Sequence, residues 1–480
     1  MTLTNKFISH ICLLYQSGVS TPVLDKARSC FLDYLGCALA GACFYKDQLK
    51  TFRDACPEVG TSCLIGFQGK CFPMQTAAML NGISAHAIEL DDGHRIGMLH
   101  LGAPVISAML AVTEKEQLGT QDFLKGIVIG YEVAIRLACA VQPGCKLKGY
   151  HATGTCGTVG AAMAIATALH FDFEQMKSAF SAAITSAAGV LEMIEGDTEL
   201  KPYNAGRAAM DGVMAAYVGK ARFKAPEDAL GGKRGFLKIM TDEPKMQYLT
   251  DFNQDKMMIE TIYMKPYAAC RHCHPSIEAA LQIRKQKGFV LEEVEGIHVD
   301  TYKLAVAGHD HTDIKGVNSS KMSIPYSLAV ALFTGKAGID EFTDRYISNP
   351  SIQSITDKVS VSDVDELTSL CPQKRVAIVT VNTQSGVFTQ RVDYPKGEPE
   401  NPLSQEELEE KFRGLAMFGG LTNEACDEVI NEVWKEDFDL EKVMGIVNGT
   451  TRQRDNKMEC QQDNEMECQQ DDKTTSLVAS

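Results

Sequence analysis

Apolar side chains recur at helical spacing through most of the first half of the chain. Between residues 20 and 43, for example, Leu24, Ala27, Phe31 and Leu35 fall on one face. No strand-like alternation persists between residues 75 and 221. The spacing therefore predicts a large all-helical domain. Its helices are predicted at residues 20–43, 75–86, 103–117, 121–142, 157–170, 173–195 and 204–221.

The pattern changes after about residue 266. Residues 296–302, 375–381 and 387–394 alternate at period two, and the last two runs predict a hairpin. Helical spacing returns among these strands and again after Ser404. We therefore predict a mainly α fold, with an all-helical domain built from both chain ends and a smaller inserted α+β domain. The predicted bounds are 1–266 and 399–451 for the helical domain, 267–398 for the α+β domain, and 452–480 for a disordered tail.

Composition narrows the class of protein. The net charge is −15 and no long Lys/Arg block occurs, which argues against nucleic-acid binding. No run of about 20 apolar residues is present, so no membrane span or membrane association is predicted. The 16 cysteines are scattered and form no compact disulfide framework, which is typical of reduced thiols in a cytoplasmic protein.

Residues 86–102 contain a dense cluster of acidic and imidazole side chains. It consists of three carboxylates and three imidazoles: Glu89, Asp91, Asp92, His86, His94 and His100. Apolar segments flank this stretch on both sides. Acids and bases between buried helices are costly to desolvate unless they pair or bind a ligand. The pattern fits either a polar cap between two helices, in which these side chains pair with one another, or a functional site.

Other polar residues stand at predicted element boundaries. Cys270-Arg-His-Cys273-His274 matches the spacing of covalent haem attachment and of half a zinc site, but a second Cys-x-x-Cys pair is missing. His151 lies at the start of a helix, where anions are favoured. Lys201 and Lys265 each begin a Lys-Pro-Tyr motif, and each is by default a surface lysine. Core packing is the default role for Tyr326.

The order of these motifs is similar to that of the MmgE/PrpD family. The resemblance rests on His86-x-x-Glu-x-Asp-Asp, His100-Leu-Gly, His151 with Gly-Thr-x-Gly, Leu-Lys201-Pro, Lys265-Pro-Tyr-x-x-Cys and Tyr326. It covers roughly residues 5–450. It implies a helical domain with an inserted α+β lid, a homodimer, and an active site between the domains that needs no organic cofactor and no metal.

The resemblance also implies roles for individual residues. Glu89, Asp91, His100, His151 and Tyr326 would be catalytic, with His100 as the principal proton donor or acceptor. Asp91 or Glu89 would orient it, and Tyr326 would donate to a substrate oxygen. The substrate-binding positions would be Lys201, Lys265, Arg271 and His274.

The implied activity is that of a lyase acting on a small polycarboxylate, such as a cis-aconitate decarboxylase forming itaconate. The Glu-Leu-Asp-Asp sequence at residues 89–92 favours decarboxylation. Dehydration of a 2-methylcitrate or citrate type of substrate, and epimerisation or isomerisation of a dicarboxylate such as iminodisuccinate, stay open within the family. From other classes, a metal-dependent hydrolase using His86, Asp91, Asp92 and His94 and a binding protein without turnover also stay open.

Overall fold

Helices dominate the computed structural model, which describes residues 1–67, 71–194, 198–252 and 256–449. The predicted mainly α fold is confirmed. The helices before residue 266 are α1 (Leu3–Ser17), α2 (Thr21–Phe44), α3 (Lys46–Ala55), α4 (Met74–His86), α5 (Gly102–Glu116), α6 (Thr120–Val141), α7 (Gly144–Leu147), α8 (Ala152–Ala168), α9 (Phe173–Ser186), α10 (Leu200–Lys220), α11 (Phe236–Met240) and α12 (Gln247–Thr250). Two short strands, β1 (Ser62–Cys63) and β2 (Cys71–Phe72), pair between α3 and α4.

Small residues bring the central helices close together. Helix α8 consists mostly of Ala, Gly and Thr, is buried along its whole length, and packs against α5, α6, α9 and α10. A Cβ atom at Gly160 of α8 would lie 2.6 Å from the carbonyl oxygen of Gly130 on α6. Only glycine permits this approach of two backbones. The Gly- and Ala-rich sequence thus produces a tightly packed helical core.

Three helix ends differ from the predicted ones by four residues or more, and all three lie near His151. Helix α9 ends at Ser186 instead of residue 195, because the chain becomes extended at Ala187 (φ −63°, ψ 107°) and continues through Gly189 (φ 141°). That segment accepts a hydrogen bond from the His151 backbone NH to the Gly189 carbonyl (3.1 Å). Helices α8 and α10 begin before the predicted residues 157 and 204. The three helix ends therefore meet around one histidine.

The second half of the chain contains a four-stranded sheet with strand order β4-β3-β5-β6. The strands are β3 (Val294–Thr301), β4 (Val359–Asp363), β5 (Ala377–Thr383) and β6 (Gly386–Val392). The helices among them are α13 (His274–Arg284), α14 (Lys303–Val306), α15 (Val317–Met322), α16 (Ile324–Thr334), α17 (Asp344–Ile347), α18 (Pro350–Thr356) and α19 (Asp365–Ser369). The β5–β6 hairpin was predicted, whereas β4, parallel to β3, was not because its five residues contain only two valines.

The chain then returns to the helices of its first half. Helices α20 (Gln405–Phe418), α21 (Asn423–Val433) and α22 (Leu440–Asn448) follow the sheet, and α20 packs along α2. Lys411 of α20 forms an ion pair with buried Asp33 of α2 and donates to the Leu90 carbonyl (2.7 Å). The predicted domain bounds stay predictions, and the predicted tail lies outside the described residues. None of the described helices is long and apolar enough to cross a membrane.

Candidate active site

The α4–α5 loop (residues 87–101) carries the acids and imidazoles singled out from the sequence. Two of its residues, Glu89 (φ 58°) and Met98 (φ 51°), adopt the left-handed conformation that side chains disfavour. Paired backbone hydrogen bonds of 3.0 and 2.8 Å join Gly93 of the loop to Tyr263, which precedes the sheet domain. Such backbone strain persists only where the surrounding structure enforces it, and it concentrates at functional sites.

Asp92 anchors the loop to the start of α5. Its carboxylate accepts hydrogen bonds from the backbone NH groups of Leu101 (3.2 Å) and Gly102 (2.9 Å) and from the Tyr131 hydroxyl (2.6 Å). Burial raises the pKa of Asp92 to about 7 despite these donors. Asp92 thus fixes the backbone that presents His100.

Asp91 orients two histidines. It accepts hydrogen bonds from Nδ1 of His86 (2.8 Å) and Nδ1 of His100 (3.2 Å) through the same oxygen, Oδ2. The Asp92 carbonyl also accepts from His100 Nδ1, at 2.8 Å. Because both partners of that nitrogen are acceptors, Nδ1 of His100 carries the proton and Nε2 carries the lone pair. Burial would raise the pKa of Asp91, but the two histidines outweigh it and hold that pKa well below its usual range.

His151 has the opposite proton arrangement. Its Nδ1 lies 2.8 Å from the Asn204 amide nitrogen, which donates, while the Asn204 amide oxygen accepts from Arg207 (3.3 Å). Nδ1 of His151 therefore carries the lone pair, and Nε2 carries the proton. Burial and the charge of Lys201 hold the pKa of His151 well below its usual range, so the ring is neutral at pH 7.

Glu89 holds two lysines in place. Its carboxylate forms ion pairs with Lys201, from the first turn of α10, and with Lys265 (3.0 Å). Lys265 also donates to the Glu89 carbonyl at 2.9 Å. Burial would raise the pKa of Glu89, but the two ammonium groups outweigh it and hold that pKa well below its usual range. The structure thus makes Glu89 a permanent anion that positions cations instead of a proton carrier.

Two guanidinium groups complete the site. Arg271 forms an ion pair with buried Glu398, and Arg375 donates to the Arg95 carbonyl (3.1 Å). Nη1 of Arg271 and Nε of Arg375 are buried and have no hydrogen-bond partner among the described residues. Unpaired buried donors of this kind are costly unless a ligand satisfies them.

These groups surround one cavity of about 150 Å³. Five of its lining residues are basic, Lys146, Lys201, Lys265, Arg271 and Arg375, whereas Glu89 is the acidic one. His100, His151 and Tyr263 also line it. A larger groove of about 950 Å³ lies between the end of α5 and α22, away from all the predicted site residues. The small cavity is therefore cationic and contains two histidines whose ring protons are complementary.

Two predicted site residues lie elsewhere. The Tyr326 hydroxyl donates to the Glu341 carbonyl (2.9 Å) inside the sheet domain, and Tyr326 does not line the cavity. His274 is fully buried, with Nε2 against the Ala269 carbonyl (3.1 Å). Cys273, next to it, has its thiol on the Lys321 carbonyl (3.9 Å). The predicted substrate contacts of Tyr326 and His274 are not favoured by these positions and stay predictions. Among the described residues, Cys270, Cys273 and His274 do not form a group of possible metal ligands.

The four residues of the alternative hydrolase site do not converge either. Asp92 is occupied by Tyr131 and the α5 backbone, and His94 Nδ1 accepts from the Gly97 NH (3.0 Å). Within the described residues, one trio of possible metal ligands, His86, Asp91 and His100, has ligand atoms within 4.8 Å of one another. In this trio, His86 and His100 are both hydrogen-bonded to Asp91, as described above.

Several residues of the site were not predicted. Asn204 stands three residues after Lys201 on α10, so helical spacing could have identified it. Arg375 precedes β5 in sequence and looks like any charge that flanks a strand. Cys270 and its neighbour His309 are 39 residues apart, and local sequence does not reveal that they meet.

Comparisons with known proteins identify the family of the chain. Models of the MmgE/PrpD N-terminal and C-terminal domains match residues 7–249 and 267–436. The chain is 26% identical to the cis-aconitate decarboxylase-like protein oryM of Aspergillus oryzae, over 93% of this chain and 97% of that protein.

Two further relatives are more distant. Identity to the cis-aconitate decarboxylase of Homo sapiens is 23%, over 86% and 88% of the two chains. Identity to the probable 2-methylcitrate dehydratase of Saccharomyces cerevisiae is 22%, over 79% and 78%. The chain therefore belongs to the MmgE/PrpD family and, like these relatives, is a lyase.

Proposed function

We propose that this lyase acts on a small polycarboxylate without a cofactor, and that its reaction is the decarboxylation of cis-aconitate to itaconate. The observation that carries the proposal is the cationic cavity, with its unpaired donors on Arg271 and Arg375 and with His100 and His151 in its wall. Guanidinium groups bind carboxylates through paired hydrogen bonds, so the two arginines that line the cavity suit a substrate with several carboxylates.

Decarboxylation of such a substrate needs cations and one proton. When CO₂ leaves, the electron pair of the broken C–C bond shifts into a new double bond, and the old π pair moves to the carbon beside a remaining carboxylate. Fixed cations stabilise this developing charge by about 3–4 kcal/mol for each well-placed donor. Lys201 and Lys265 suit this role because ion pairs with Glu89 hold both ammonium groups in place.

His100 supplies the proton in this mechanism. In the unliganded cavity, burial lowers the pKa of His100 to about 4, although Asp91 opposes this effect, so the ring is neutral at pH 7. A bound polycarboxylate adds negative charge beside the ring, which raises its pKa and favours protonation at Nε2. That proton then goes to the carbon that received the π pair. The Nε2–H group of His151 meanwhile donates to a substrate carboxylate.

Proton NMR of the purified protein with cis-aconitate, in buffered deuterium oxide with EDTA, tests this proposal. Itaconate carrying deuterium in its saturated methylene group is the expected product. A hydrated tricarboxylate would instead assign a dehydratase running in reverse. Unchanged cis-aconitate, followed by turnover of 2-methylcitrate or of an amino-dicarboxylate epimer, would overturn the proposed substrate.

A further inference from the structure

A cysteine that the proposed mechanism does not use lies in the wall of the same cavity. The thiol sulfur of Cys270 is 3.2 Å from Nε2 of His309. Nδ1 of His309 lies 3.0 Å from the Ala307 carbonyl, an acceptor, and therefore carries a proton. Nε2 is thus free to take the thiol proton, which leaves a thiolate paired with an imidazolium. This arrangement is the one that activates cysteine nucleophiles.

The charged groups around this pair favour the thiolate. Burial would raise the pKa of Cys270, but the charge and hydrogen bond of His309 outweigh it and lower that pKa to about 6. The backbone NH of His272 and the ammonium group of Lys265 act in the same direction. Cys270 in turn raises the pKa of His309, against the effects of burial and of Lys146.

The cavity contains a natural control for this chemistry. Cys371 lines the same cavity and is partly exposed, as Cys270 is. Burial raises the pKa of Cys371 above its usual value, and the nearby charges of Arg375 and Lys146 do not reverse this. Two cysteines that line one cavity therefore differ in thiolate content, because one has an imidazole against its sulfur.

We propose that Cys270 is a covalent modification site for anionic alkylating agents, namely haloacetates. The basic side chains of the cavity wall attract the carboxylate and place the electrophilic carbon beside the thiolate. The sulfur of Cys270 bonds to this carbon and displaces halide, while the thiol proton stays on His309. The thioether fills the substrate cavity and blocks turnover.

Labelling of the full-length native protein tests this site. Iodoacetate and iodoacetamide are applied separately, and the labelled peptides are quantified by mass spectrometry. At about pH 6 roughly half of Cys270 is thiolate, against under ~1% of an ordinary thiol, so Cys270 should react about tenfold faster than Cys371 after allowance for its lower nucleophilicity. For Cys270, the ratio of the iodoacetate rate to the iodoacetamide rate should be about ten times the same ratio measured for glutathione, because the cavity is cationic and attracts the carboxylate.

The pH profile and one variant distinguish activation of Cys270 by His309 from simple exposure of the Cys270 thiol. The Cys270 labelling rate should rise with a midpoint near pH 6. His309→Asn should move this midpoint up by more than one pH unit and leave the Cys371 rate unchanged, which also reports on the fold. Equal labelling of the two cysteines in the wild type, or a Cys270 midpoint near that of a free thiol, would overturn the proposal whether or not the variant folds. Because labelling needs no turnover, it is independent of the proposed substrate.

Discussion

At the scale of single residues, hydrogen bonds to ring nitrogens decide what each histidine can do. His100 presents a lone pair at Nε2 because the Asp92 carbonyl and the Asp91 carboxylate both accept from Nδ1. His151 presents a proton at Nε2 because Asn204 donates to Nδ1. Two identical side chains in one cavity therefore differ in function: His100 can take up a proton at Nε2 and pass it on, whereas His151 is a fixed hydrogen-bond donor.

Asn204→Asp tests this assignment. A carboxylate at residue 204 accepts from Nδ1 of His151, so the ring proton moves to Nδ1 and the donor facing the cavity is lost. We expect kcat to fall by about 100-fold, because a wrongly placed ring proton disables a histidine without moving it. Nitrogen-15 NMR of the labelled histidine ring measures the tautomer. An unchanged tautomer together with unchanged kcat would contradict the assigned role.

Asp92 predicts how stability depends on pH. Burial raises its pKa to about 7 in the folded state, whereas the unfolded value is about 3.9. The folded state therefore keeps a proton that the unfolded state releases, and stability falls as pH rises between about 4 and 7. From about pH 5 to pH 8 the wild type should lose about 2–3 kcal/mol more than Asp92→Asn.

Urea unfolding at several pH values measures this difference. Asp427→Asn is the matched control for an Asp-to-Asn change as such, because Asp427 is exposed on α21. Parallel stability curves for the wild type and Asp92→Asn would show that Asp92 is already ionised at low pH in the folded protein.

At the scale of elements, the site depends on how closely α10 approaches α4. Lys201 and Asn204 lie in the first turns of α10, and the loop that carries Glu89 follows α4. A Cβ atom at Gly206 of α10 would lie 2.2 Å from the Met79 carbonyl oxygen on α4. The distance between these helices therefore sets whether Lys201 reaches Glu89.

Gly206→Ala should force the two helices apart. We expect a loss of about 1–3 kcal/mol in the free energy of unfolding from overpacking, together with reduced kcat/KM. Gly414→Ala on α20 is the matched control, since no atom lies within 4 Å of its added Cβ. This control should gain about 0.5–1 kcal/mol from helix propensity. Equal stability changes in urea unfolding of the two variants would contradict the packing argument.

Element patterns were predictable from the sequence to different degrees. The sequence located α4, α5 and α6 closely, because each is a long and mostly apolar segment that is buried on nearly all sides. It misplaced the end of α9, where a tertiary hydrogen bond from His151 competes with the helix. For Tyr326 the default expectation of core packing describes its position in α16, whereas the catalytic role came only from the resemblance. Local sequence patterns predict helices and strands, whereas the cavity depends on which distant helices and strands come into contact.

At the scale of the whole molecule, residues from both halves of the chain build one cavity. Glu89, His100, His151 and Lys201 come from the helical part, while Arg271 and Arg375 come from the part that contains the sheet. The Gly93–Tyr263 bridge joins the α4–α5 loop to the chain just before this second part. The predicted homodimer and cytoplasmic location stay predictions.

Removal of residues 452–480 should leave the enzyme intact. This tail is polar, contains a repeat of Met-Glu-Cys-Gln-Gln-Asp at 458–463 and 466–471, and lies beyond the matched family domains. We expect kcat, KM and Tm of the truncated protein to equal those of the full chain, because no predicted core residue is removed. A fall in kcat or Tm would assign the tail a part in folding or catalysis.

The most direct test of the proposed mechanism is the rate of cis-aconitate turnover by His100→Gln, followed by NMR beside the wild type. Glutamine cannot deliver the proton, so kcat should fall by at least about 100-fold, the usual contribution of a general acid. His170→Gln is the matched control, since this histidine is largely exposed on the surface, and its kcat should equal that of the wild type. A His100→Gln variant that keeps most of the wild-type kcat would contradict the mechanism.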